Sequence, residues 1–399
     1  MSESTPRVLY SFPHALDRSG ISSTALQQLL GLDRLGVPLC VFCTSVGDVE
    51  LPPRITVHQT LVVAGTRVPH RALGVQRAYT YHDHAVARWL RHHADAVDLV
   101  HAWPRGCLAT LRAARSLGMP ALRESPSPHT ASAIRNAAEA SEQVGVPLPA
   151  THSHAFNSDV LARELEEYAA ATAVLVPSSF AFDQFVLEGF PQSALLQHRY
   201  GCDLDRFAAR SQPRPHDRPF TAVFVGRGDP AKGLHVALEA WESASLPNAE
   251  FLIAGKVLPD YAAVLGDRLR APGVRTLGFV RDVPALLTQA DVLLLPSWTE
   301  GSALVVMEAQ ASGCVPLVST SSGADGTPGV DFLEHPVGSA EVLARQLRQL
   351  AENPVLLSAM SDRGTQRRAV LSWDHAAQVL LECYRQAAAT ARVPQPSAS

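Results

Sequence analysis

Short apolar runs alternate with amphipathic helical stretches along almost the whole chain. RVLYSF (7–12) is apolar enough for a buried strand, and a loop through Gly20 leads into a helix-period pattern over 21–35. VPLCVFC (37–43), DAVDLVHAW (95–103), MPALRE (119–124) and ATAVLVPSS (171–179) read as further strands. An Ala-, Leu- and Arg-rich helix separates the middle two, and another helix follows over 180–189. Apolar strands joined by helices predict a parallel sheet with crossover connections.

The polar, Pro-rich stretch 200–219 reads as a linker, after which the alternation restarts. FTAVFVG (220–226), AEFLIAG (249–255), VRTLGFV (274–280), ADVLLLPS (290–297) and CVPLVST (314–320) are the expected strands of a second sheet. The predicted fold is therefore α/β, with two doubly wound, Rossmann-like domains facing across a cleft. The expected domains are residues 1–199 and 200–371. A last helical stretch within 372–399 should pack back on the first domain and end in a flexible tail. Ligands of such sheets sit at the carboxyl ends of the strands, so functional residues should lie just after them.

The 399 residues are too many for one ordinary core. With 46% hydrophobic residues and a mean hydropathy of +0.03, the chain reads as globular. It has no run of the roughly 18 apolar residues a membrane span needs. MSESTPRVLYSF is no signal peptide, so a cytoplasmic protein is expected. Cys40 and Cys43 form a CxxC inside a strand-like run with no second pair nearby, so buried thiols in a reducing compartment are expected rather than a metal or redox centre. A net charge of −4 argues against nucleic acid as partner. Residues 54–123 nevertheless hold ten arginines against three aspartates. That excess reads as a solvated face, with peripheral membrane contact as the alternative. Lysine occurs only at 232 and 256.

Two segments carry candidate chemistry. In PSWTEGSALVVMEAQASG, Glu300 precedes and Glu308 lies within a helix whose N-cap is expected at Ser302. The two carboxylates are then about 9–12 Å apart, with the free N–H groups of the helix start between them. A nucleoside diphosphate sugar suits that layout. An ordinary helix, with one glutamate favoured by its dipole and one exposed, is the alternative. In FVGRGDPAKGL (224–234), Arg227 and Lys232 sit on a loop with Gly226, Gly228 and Gly233. Two cations there can neutralise a pyrophosphate and stabilise it as it leaves. The glycine spacing is neither the dinucleotide fingerprint nor a P-loop.

The ordered set HRYGCDLDRF, VGRGDPAKGL, FLIAG and LGFVRDVPALLTQADVLLLPSWTEGSALVVMEAQASGCVPLVS, over roughly 199–365, resembles family 4 glycosyltransferases. The resemblance implies the two-domain GT-B architecture. It implies that Arg227 and Lys232 hold the pyrophosphate and that Glu308 binds the ribose hydroxyls. Glu300 would contact the donor sugar, with backbone from Gly301 through Ser302 and Ala303 to Leu304 reaching sugar and phosphate. Phe279 and Val280 would line the base pocket, and Gly226 would approach the donor. Many family members have an aromatic residue and a glycine where this chain has Ser302 and Ala303. SSGADGTPGVDF also lacks the usual acidic residue of the following loop.

The first domain matches more loosely. Gly20 sits where the family's glycine-rich loop approaches the pyrophosphate, although Ser19 replaces one glycine. RESPSPHT (123–130) and the run 152–185 resemble a bacterial subgroup, which makes His129 the candidate for contacting the donor sugar, with Glu124 beside it. A helix-capping or exposed histidine is the alternative for His129. His101 matches a strand-end histidine, structural or acceptor-facing. Asp203-x-Asp205 resembles a metal-binding DxD but lies in the linker, and His82, His84, His92 and His93 are expected to be solvated.

These readings lead to an expected retaining hexosyltransferase. It would move a sugar from a UDP- or GDP-linked donor to a small-molecule, lipid-linked or saccharide acceptor. The resemblance suggests front-face attack, with no metal or other cofactor. A sugar-nucleotide epimerase or phosphorylase, a catalytically silent nucleotide-sugar binder and a nicotinamide-dependent dehydrogenase are the rivals.

Overall fold

The computed structural model describes residues 5–63, 65–68, 74–209 and 218–391. The strands are β1 (Val8–Leu16), β2 (Leu39–Val46), β3 (Thr56–Gln59), β4 (Val62–Val63), β5 (Thr66–Arg67), β6 (Leu99–Ala102), β7 (Ala121–Glu124), β8 (Ala173–Val176) and β9 (Leu195–Gln197). They continue with β10 (Phe220–Val225), β11 (Ala249–Ala254), β12 (Val274–Gly278), β13 (Val292–Leu295), β14 (Val315–Ser319) and β15 (Leu333–His335). Apart from the small β4–β5 ribbon they form two sheets, ordered β3-β2-β1-β6-β7-β8-β9 and β12-β11-β10-β13-β14-β15. All pairings within these two sheets are parallel.

The central strands form where the sequence is continuously apolar, because both faces of each sheet are covered by helices. Val8, Tyr10, Val41 and Leu99 share a core with helix Gly20–Arg34. Leu9, Val100 and Phe42 face helices Val75–His92 and Leu108–Ser116 on the other side. In the second sheet, Phe251 and Ile253 pack with helices Leu234–Ala244 and Ala340–Glu352. Strand order reverses between β1 and β6 and between β10 and β13. A crevice therefore opens at the carboxyl ends of those strands in each domain.

Two crossovers join the domains side by side. The Cys202 N–H donates to Leu371 O at 2.7 Å. A Cβ on Gly201 would lie 2.5 Å from the Trp373 nitrogen, so only glycine lets the two segments run this close. After the second crossover, helix Trp373–Ala391 lies on helix Gly20–Arg34, where Arg34 donates to Asp374 at 2.6 Å. Its Leu380, Leu381 and Tyr384 complete the first domain's core, each worth about 2 kcal/mol in buried apolar surface. The expected tail beyond 391 and part of the linker, 210–217, lie outside the described residues.

Candidate active site

A cavity of about 340 Å³ lies between the two crevices. Gly20, Thr24 and Pro126 bound it from the first domain, and Lys232, Glu300 and Ser302 from the second. Ala303 and Leu304 complete the helix-start wall, and Tyr200 of the crossover also faces it. Gly20 opens its helix at a φ of +48°, a left-handed conformation that favours glycine.

The cation loop is built by its neighbours. The Gly226 N–H donates to Ala254 O and the Gly228 N–H to Lys256 O, both at 2.9 Å, which clamps the loop to the end of β11 and the segment after it. Asp229 caps the turn Pro230–Lys232 by accepting from the Lys232 N–H at 3.1 Å. Gly233 has a φ of +70°, and a Cβ there would lie 2.1 Å from Pro296 O, so glycine alone lets the loop meet the end of β13. Lys232 Nζ consequently donates to Glu300 Oε1 at 2.5 Å, and Ser297 Oγ donates to the same atom at 2.8 Å. Arg227 donates through Nε to Asp229 Oδ2 at 2.6 Å. Its terminal nitrogens make no hydrogen bond among the described residues, and the side chain is 46% exposed. A guanidinium fixed at Nε with both tips unengaged is prepared for an anion. Burial pushes the Asp229 carboxyl upward, but hydrogen bonds from His152 and Arg227 outweigh it and hold the group below its ordinary value.

The helix after Glu300 spans Leu304–Ala311, and its N-cap is Ala303, with no side-chain cap. The expected cap at Ser302 is therefore corrected: Ser302 lies before the cap and lines the cavity. The Val306 N–H donates to Ala303 O at 2.9 Å, and without a capping side chain the Leu304 and Val305 N–H groups are left for a ligand. A Cβ on Gly301 would lie 2.0 Å from Pro126 O of the first domain, and Ser178 Oγ donates to Gly301 O. Glu308 is one turn further on, beside Asp203 and Arg206 of the crossover. Its carboxylate makes no hydrogen bond among the described residues, and burial pushes its pKa up to about 7. Phe279 and Val280 follow β12; Phe279 is 71% exposed, and Val280 packs at the edge of the second domain's core.

The structure thus gathers Gly20, Lys232, Glu300, Ser302, Ala303 and Leu304 around one cavity, with Gly226, Arg227 and Gly301 on the same loops. His129 stands apart. It is the N-cap of helix Thr130–Val144, where Nδ1 accepts from the Ala131 N–H at 3.3 Å. Its ring is buried against Tyr168 and Phe185, and burial lowers its pKa.

Glu124 is wholly buried and accepts from His198 at 2.8 Å, Tyr200 at 2.9 Å and Gln28 at 3.3 Å. His101 Nε2 lies 3.1 Å away, and His101 Nδ1 meets Tyr384 OH at 2.6 Å. His101 thus ties the strand end to the last helix. Two further readings are corrected. His82 is buried rather than solvated, bonded to Ser11 at 3.0 Å and Thr60 at 2.9 Å. Arg123 does not belong to an arginine face: it is fully buried on Glu164 at 2.8 Å and Glu167 at 3.3 Å.

The Asp203 carboxylate accepts from the Asp205 and Arg206 N–H groups, as a turn-closing aspartate does. Among the described residues no group of His, Cys, Asp and Glu forms a metal-ligand cluster, and no helix is long and apolar enough to cross a membrane. Cys40 and Cys43 are free thiols, pushed by burial to about 11 and about 12. Sequence reasoning missed Asp229, His152 and Tyr200. The Asp-Pro-x-Lys turn signature points to the first of these.

Comparison with known proteins gives a consistent picture. Residues 219–353 match the family described as glycosyl transferases group 1. The chain is 28% identical to the D-inositol 3-phosphate glycosyltransferase of Mycobacterium avium, across 94% of this chain and 91% of that protein. It is 29% identical to the Mycolicibacterium smegmatis enzyme of the same name, across 97% and 91%. Among solved structures, sucrose-phosphate synthase of Thermosynechococcus elongatus superposes with a TM-score of 0.69 at 19% identity, covering 96% of this chain and 100% of that one. HepE of Anabaena in complex with UDP gives 0.66 at 15% identity, covering 95% and 100%. The shared fold is GT-B.

Proposed function

We propose that this chain, whose residues 219–353 match the glycosyl transferases group 1 family, moves a sugar from a nucleoside diphosphate sugar to an acceptor hydroxyl, with retention and without a metal ion. The observation that carries this reading is the placing of Lys232 and Glu300 on one wall of the interdomain cavity, with Arg227's free tips on the same loop.

The donor's pyrophosphate would take Lys232 Nζ and the Arg227 tips, with the uncapped N–H groups at Leu304 and Val305 beneath it. Lys232 would then share its charge between Glu300 and phosphate. Glu300 would read sugar hydroxyls, and Glu308 the ribose. In the front-face step, the acceptor oxygen bonds to the anomeric carbon on the side from which the phosphate oxygen leaves. That phosphate oxygen takes the acceptor's proton, and the nucleoside diphosphate departs. Charge grows on the pyrophosphate in the transition state, so the cations act where they stabilise it most. They supply the role a metal would otherwise fill.

The two relatives described above are both named D-inositol 3-phosphate glycosyltransferase, and HepE was solved with UDP. Those names make a UDP-linked donor the first to try, while GDP-linked donors stay in the test set. Thermal shift with a panel of UDP- and GDP-sugars should select a stabilising donor. With it, Lys232→Ala should lose roughly 100-fold or more in turnover at unchanged melting temperature. Near-normal transfer by that variant would defeat the assignment.

A further inference from the structure

Asp229 receives one contact from outside its own domain. The loop 145–157 follows helix Thr130–Val144 of the first domain, and that helix rests on the turn Pro230–Lys232. Ala140 and Val146 bury into the second domain's core. At the loop's inner end His152, 7% exposed, brings Nε2 to 3.4 Å from Asp229 Oδ2. Its other nitrogen, Nδ1, accepts the His154 N–H at 3.0 Å. An acceptor at Nδ1 places the neutral ring's proton on Nε2, so His152 donates to Asp229. The fully buried carboxylate therefore has three partners. Oδ2 receives His152 and Arg227, and Oδ1 receives the Lys232 backbone. Of these three, only the histidine leaves when the domains part.

We propose that His152 is a positioning residue for sugar transfer, which by donating to Asp229 aligns the Arg227–Lys232 cation pair when the two domains are together. The inference rests on the donor reading given above. In the separated state Asp229 keeps Arg227 and the Lys232 N–H but loses the histidine, and more of its charge competes with the pyrophosphate for the guanidinium. On closing, the His152 N–H takes up part of that charge and fixes the carboxylate plane, so the Arg227 tips turn toward the leaving group. The present 3.4 Å leaves room for the bond to shorten around a ligand. Nucleotide contacts on the second domain exist in both states. The contribution of His152 should therefore fall on the chemical step rather than on donor capture.

The test uses the full chain with UDP-glucose, and GDP-mannose as second probe, following release of the nucleoside diphosphate to water. Compared with wild type, His152→Ala should lower kcat roughly 10- to 100-fold with the donor KM within about three-fold. His152→Gln, whose amide N–H still reaches Asp229, should recover kcat to within about three-fold of wild type. Both variants should melt with the wild type. Equal kcat in His152→Ala and wild type would overturn the proposal, as would a loss of rate matched by a lost melting temperature in both variants. If wild-type protein neither binds nor cleaves these probes or any other UDP- or GDP-sugar of the panel, the donor reading itself fails and takes this inference with it. That result is distinct from a working enzyme indifferent to residue 152.

Discussion

If Glu308 reads the ribose, donor affinity must depend on pH in a direction the burial of its carboxyl fixes. The group is pushed up to about 7, and a carboxylate accepts two ribose hydroxyls better than the neutral acid does. Protonation therefore competes with donor binding. The apparent dissociation constant scales with the reciprocal of the ionised fraction. One unit below that pKa about a tenth is ionised and one unit above about nine-tenths, so affinity should fall about ten-fold, or about 1.4 kcal/mol, on going from about pH 8 to about pH 6. Titration calorimetry with UDP-glucose suits the measurement, because a pyrophosphate diester does not itself titrate in this window. Glu308→Gln should bind roughly 10- to 100-fold more weakly at about pH 8 and should lack the slope. Histidines near the cleft that gain charge on acidification would tilt the curve the other way, so the difference between wild type and variant is the quantity to read. A variant that keeps the full wild-type slope, or a wild type whose affinity is flat over that interval, would refute the assignment of Glu308.

The same residue makes a stability prediction. A folded pKa raised above the ordinary value means the native state holds the proton more tightly, so stability is greatest below about pH 4.5 and declines as pH rises through about 7. Without ligand, Glu308→Gln should melt above wild type at about pH 8 and with it at about pH 5. Gly301→Ala places a methyl group against Pro126 O. Calorimetry should show UDP still binding, while turnover drops by roughly 100-fold, because the steric conflict is between the domains. Tyr384→Phe leaves His101 Nδ1 without its partner and should cost about 1–3 kcal/mol in denaturant unfolding. Unchanged stability would remove that bond from the account.

What the chain discloses on inspection is uneven for physical reasons. The strands β1, β2, β10, β11, β13 and β14 are predominantly apolar because helices cover both their faces, and their runs stand out. β3, β9 and β15 are three or four residues long, too short to show a period, and β3 is partly exposed at its sheet's edge. Of the cavity wall, Lys232 and Glu300 were legible because each follows a strand end. Their direct ion pair was not, since 68 residues separate them. His82 was misread because helical spacing says which histidines face one another, and nothing about Ser11 and Thr60 arriving from other elements. Arg123 was counted as surface because its partners Glu164 and Glu167 come from a helix some forty residues on. His152 gives no local sign at all, as its partner is 77 residues away in the other domain.

The return of residues 373–391 to the first domain bears on how the protein is made. Leu380, Leu381 and Tyr384 fill space beneath helix Gly20–Arg34, yet they leave the ribosome after the entire second domain. The earlier half must wait through that synthesis with a greasy groove uncovered and His101 short of its tyrosine. The later half closes on Leu371 before the groove is filled. A nascent chain stalled around residue 370 should therefore be the species that chaperones hold, and the one from which two molecules can exchange their last helices.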